Sequence, residues 1–79
     1  MEKSMYIRIT DKKLGTTTDI KFWSVVEHVF KITNDTNVSN KANQWCRKYG
    51  RKVGDVYDEN PLFELRVMDY EKNGRPPLS

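Results

Sequence analysis

The chain has 79 residues, 37% hydrophobic and 32% charged, with a net charge of +3 and a single cysteine, Cys46. A length of this order supports one domain, which buries only about 60% of its unfolded surface. No apolar run exceeds three residues, a lone cysteine cannot build a disulfide framework, and two Trp, four Tyr and three Phe supply core material; a membrane-spanning helix, a disulfide scaffold and a disordered chain are excluded as expectations.

Met5 to Thr10, MYIRIT, alternates with a period of two. Met5, Ile7 and Ile9 point one way and Tyr6, Arg8 and Thr10 the other, which predicts a half-buried strand. In DKKLGT, residues 11–16, Gly15 suits a hairpin turn because it tolerates positive φ. TTDIKFW, residues 17–23, resumes the alternation with Ile20 and Phe22 on one face, which predicts a return strand. A helix starting at Asp19 is the competing reading.

Ser24 and Glu27 have the S-x-x-E spacing of a capping box. Val25, Val26, Val29, Phe30 and Thr33 follow at helical spacing, which predicts a first helix over 25–33 with Glu27, His28 and Lys31 on its polar side. The turn-forming run TNDTN, residues 33–37, should end it. Ser39 is then expected to cap a second helix, in which Ala42, Trp45, Cys46 and Tyr49 form the buried face and Gly50 the stop. Residues 52–61 read as a turn-rich connection. LFELRVMDY, residues 62–70, alternates again, with Phe63, Leu65 and Val67 inward. KNGRPPLS has the composition of a frayed end.

The expected fold is α+β: a small antiparallel sheet, made of the N-terminal hairpin plus the C-terminal strand, packed by two short helices. The domain is expected over 1–72 with a flexible tail at 73–79. The last strand should pair with the first. Should 53–57 form a further short strand, the second helix would be followed by a hairpin, as in a winged helix-turn-helix. The N-terminus MEKSMYIRIT lacks the apolar stretch of a signal peptide, which leads us to expect a cytoplasmic protein.

Catalytic chemistry finds little material. His28 is the one histidine and is expected to be exposed on a helix, with no triad around it. Cys46 is expected in the core, although Arg47 and Lys48 could activate a solvent-facing thiol. DVYDEN, residues 55–60, lacks the spacing and the distal glutamate of a calcium loop. One histidine and one cysteine cannot build a structural zinc site. The expectation is no enzyme, no cofactor and no metal.

Charge is more informative. Residues 38–54 hold five basic side chains and no acidic one; residues 55–71 hold six acidic side chains against Arg66. The basic helix suggests a nucleic-acid contact through Lys41, Gln44, Arg47, Lys48, Arg51 and Lys52, with Asn40 and Asn43 nearby, whereas the acidic block at Asp55 to Glu59 that follows directly would repel phosphate if it folded onto the same face. The alternative is a phage- or mobile-element-type protein that modulates a host protein, with Tyr6, Trp23 and Tyr57 as candidate contacts because exposed aromatics mark interfaces. No membrane partner is expected, and the chain would act as a monomer or homodimer.

Overall fold

The computed structural model of the chain describes residues 5–69. Its first strand, β1 (Met5–Asp11), and second, β2 (Thr16–Ile20), form the expected antiparallel hairpin, with Ile7 opposite Ile20. Gly15 in the turn has φ +72, and the Asp11 carboxylate accepts the backbone N–H groups of Lys13 and Leu14. The strand ends at Ile20, before the apolar alternation does. Phe22–Ser24 coil into one 3-10 turn, whose Ser24 N–H donates to the Lys21 carbonyl. Phe22 therefore belongs to a turn and not to the sheet.

That turn leads into α1 (Val25–Thr33), with the predicted bounds. Val25 and Val29 are buried, while Phe30, expected on the same face, is partly exposed. Ser24 holds the N-cap position, but its side chain makes no capping hydrogen bond. The expected capping box is not formed. Asn34 closes α1 in the left-handed region with φ 53, donating its N–H to the Phe30 carbonyl. An asparagine tolerates this backbone better than most residues with a side chain.

The second helix, α2 (Thr36–Lys48), starts three residues before the predicted Ser39. Asp35 is its N-cap, and its Oδ1 accepts from Asn37 N at 2.9 Å and Val38 N at 3.2 Å. Ser39 lies inside the helix, buried, with its Oγ donating to the Asp35 carbonyl. The turn-forming residues thus do two jobs: Asn34 ends one helix and Asp35 begins the next.

After α2 the chain makes a short strand, β3 (Val56–Tyr57), and the long β4 (Phe63–Asp69). The sheet order is β2-β1-β4-β3, antiparallel throughout. The fold is the expected α+β arrangement with one strand added, at the edge beyond β4. Ile7 stands opposite Val67 and Ile9 opposite Leu65 in the central pair. Their side chains, with Ile20 and Phe63, meet Val25 and Val29 of α1 and Ala42 and Cys46 of α2 in one core cluster. Both helices therefore cover a single face of the sheet. Tyr70 and the predicted tail at 73–79 lie outside the described residues.

The aromatics expected on the surface separate. Tyr6, alternating with the core-facing Ile7, is nevertheless 1% exposed, opposite Met68 of β4. Tyr57 is also buried, in a row with Trp45 at 5.5 Å and Phe63 at 5.8 Å between ring centroids. Trp23 alone of the three is on the surface, 79% exposed on the 3-10 turn, with the Lys21 ammonium 5.5 Å from its ring centroid.

Candidate nucleic-acid interface

The buried stripe of α2 is Ser39, Ala42 and Cys46. Opposite it, Asn40, Lys41, Gln44, Arg47 and Lys48 are exposed, and Arg51 and Lys52 continue the exposed run beyond the helix. Tyr49, expected in the core, departs from the stripe. The helix ends at Lys48, and Tyr49 has φ -118, outside regular helical geometry. Its ring swings out to 66% exposure. Trp45 stays half-buried beside Tyr57.

The stop after Tyr49 depends on a close approach. Tyr49 N and Gly50 N both donate to the Trp45 carbonyl, and Gly50 is buried against the Trp45 ring. Beyond it, the Arg51 guanidinium donates to the Arg47 carbonyl at 2.9 Å, placing a cation on the negative end of the helix dipole.

The acidic segment divides three ways. Asp55 turns back into its own loop, where Oδ2 accepts Arg51 N at 3.1 Å and Lys52 N at 3.0 Å. Its backbone is tied to β4 through Val67 N. Asp58 reaches across to the hairpin and pairs with Lys12. Glu59 faces α2. Together with Lys41, Gln44, Trp45, Lys48, Tyr49 and Tyr57 it lines a cavity of about 240 Å³. Burial, then the negative charge of Glu59, raise the Tyr57 phenol above its ordinary pKa.

Elsewhere on the surface, carboxylates are occupied. Asp11 and Asp35 hold backbone N–H groups. Asp19 pairs with Arg8 at 2.8 Å, Glu27 with Lys31 and Glu64 with Arg66, and Asp69 is engaged as well. Among the described residues Glu59 is the acidic side chain left without a hydrogen bond or ion pair, and Lys41, Gln44 and Lys48 around it are likewise unengaged.

The six residues predicted for this surface are therefore all exposed, but they do not form one set. Lys41, Gln44 and Lys48 share the cavity; Arg47 and Arg51 are linked to each other; Lys52 sits on the loop held by Asp55. Tyr49 and Glu59 are the members that helical spacing missed. Tyr49 carried one usable signal, its place immediately before a helix-ending glycine. Glu59 carried only its place in the acidic block directly after the basic helix; β3 is what brings it, and not Asp55 or Asp58, into the cavity with α2.

The other reactive side chains are placed differently. Cys46 is buried, and loss of solvation pushes its thiol pKa up to about 12. His28, expected to be exposed, is half-buried, with Nδ1 3.0 Å from the Ser24 carbonyl. It borders a smaller cavity of about 160 Å³ with Asp11, Thr16, Thr18 and Lys31. Among the described residues no group of three or more His, Cys, Asp or Glu side chains could hold a metal ion, and no helix is long and apolar enough to cross a membrane.

Comparison with protein-family models, with curated proteins and with solved structures returns no significant match.

Proposed function

We propose that this is a non-enzymatic nucleic-acid-binding protein, regulatory or accessory in kind, that contacts phosphate through α2 and the loop after it. The observation that carries this reading is the disposition of the acidic segment. Asp58 pairs with Lys12 on the hairpin, and Asp55 is spent on the backbone N–H groups of Arg51 and Lys52 and not on their side-chain charges. Lys41, Arg47, Lys48 and Lys52 are thus exposed cations that form no ion pair among the described residues, with Glu59 the one carboxylate sharing the cavity of Lys41 and Lys48. Exposed Tyr49 adds a face on which a base can stack.

The test is fluorescence anisotropy with labelled duplex and single-stranded oligonucleotides across salt. A variant with Lys41, Arg47, Lys48 and Lys52 all changed to Ala should bind more weakly, and its log K against log salt slope should be smaller by roughly three to four. No binding by the wild type to either form at low salt would overturn the reading.

A second reading, a host-protein contact, has one observation in its favour: Trp23 is almost fully solvated and lies near Lys21. A pull-down in which Trp23→Ala leaves the partner set unchanged would count against it.

A further inference from the structure

We infer that the cavity between α2 and the segment after β3 is a base-binding site on single-stranded nucleic acid, selective for guanine through Glu59. This rests on the nucleic-acid reading above and goes further, naming the form of the strand and the base.

A carboxylate in a basic phosphate-binding surface is counterproductive unless it has a donor to receive. Glu59 is the unengaged carboxylate of the described surface, and it faces two lysines, an amide and an exposed tyrosine across one cavity. An ionised carboxylate is acceptor-only and offers two oxygens side by side. Among the five common bases of DNA and RNA, the Watson–Crick edge of guanine alone presents two adjacent donors, N1–H and the N2 amino group. Cytosine and adenine each place a ring nitrogen acceptor beside their single amino group, which a carboxylate repels. Uracil and thymine flank one N–H with two carbonyls.

The remaining lining fits the same ligand. Guanine O6 lies next to N1–H and needs a donor, which the Gln44 amide or a lysine can supply. The Tyr49 ring offers a stacking surface, and Lys41 and Lys48 answer the flanking phosphates. Base pairing consumes the Watson–Crick edge, so this recognition needs an unpaired strand.

The test compares a labelled ten-nucleotide oligothymidylate with the same strand carrying one central guanine, and with a duplex of equal length. The wild type should bind the guanine strand roughly tenfold tighter than the all-thymine strand, the discrimination of one bidentate base contact. Glu59→Gln should abolish that preference while binding the all-thymine strand at least as well, because a repelling charge is gone. Tyr49→Ala should weaken both strands, and circular dichroism should show it folded, since its ring is largely solvated. Equal affinity for both strands, or an unchanged preference in Glu59→Gln, would overturn the guanine site and leave phosphate binding standing. Tighter binding to the duplex would overturn the single-strand assignment. Loss of binding to every oligonucleotide would overturn both readings together.

Discussion

Gly50 and the Trp45 ring occupy space that excludes a single methyl group: a Cβ on Gly50 would fall 2.7 Å from Trp45 Cζ3 and 3.0 Å from Cη2. The glycine at the end of α2 is thus required by packing. Its φ is not positive, so backbone strain is no reason for it. Gly50→Ala is expected to displace the indole and cost about 1–2 kcal/mol as local overpacking, against the modest gain of a stiffer unfolded chain. The double variant Trp45→Phe, Gly50→Ala should recover that loss, because the clash lies on the benzo ring that Phe lacks. A denaturant double-mutant cycle measures the coupling; additive effects would show that the contact is not the cause.

The two helix starts should respond differently to loss of their cap residues. Asp35 accepts two backbone N–H groups, so Asp35→Ala should lower stability by about 1 kcal/mol. The Ser24 side chain caps nothing, and Ser24→Ala should change stability by no more than about 0.5 kcal/mol. Thermal unfolding of the two variants side by side checks the contrast, and equal losses would contradict it.

Cys46 makes stability fall at alkaline pH. In the folded chain its thiol keeps its proton up to about 12, against an ordinary value of 9.0. The unfolded chain therefore binds fewer protons within that window. Stability drops as pH rises from about 9 toward about 12, at a limiting slope of about 1.4 kcal/mol per pH unit from this group. Cys46→Ala should flatten that arm, leaving the smaller contribution of Tyr57, whose pKa is also raised. The same burial predicts that native protein at pH 8 reacts with a thiol reagent only as fast as it opens, whereas chain unfolded in denaturant reacts at once.

Asp55 acts as an acceptor for the loop's backbone, and its charge is secondary. Asp55→Asn keeps an oxygen for Arg51 N and Lys52 N and should be within about 0.5 kcal/mol of wild type. Asp55→Ala strands both N–H groups and should cost about 1 kcal/mol. If the two variants unfold at the same temperature, the hydrogen bonds contribute nothing measurable.

What could be read from the chain in advance was whatever depended on local alternation. Ile7 and Ile9 against Val67 and Leu65 were visible as two period-two patterns, and the valines of α1 as helical spacing. Errors arose where a local rule met a competing local bond. Asp35 captured two N–H groups before Ser39 could cap, and the turn at Phe22–Ser24 broke an alternation that residue types alone would continue. Tyr49 shares the i+7 position with Ala42, but the helix stops before reaching it. The basic half of the candidate site was legible because it lies on one helix. Its acidic member was not, because Glu59 is brought there by the two-residue pairing of β3 with β4.

The central strand pair has a consequence for how the protein is made. β1 and β4 join Met5 to Asp69 and Asp11 to Phe63, so the middle of the sheet unites the two distant ends of the described chain. Such long-range pairing folds slowly compared with local contacts. During synthesis Ile7 and Ile9 have no partner strand on that side until Phe63–Asp69 has left the ribosome, and until then that edge of the hairpin has nothing to pair with.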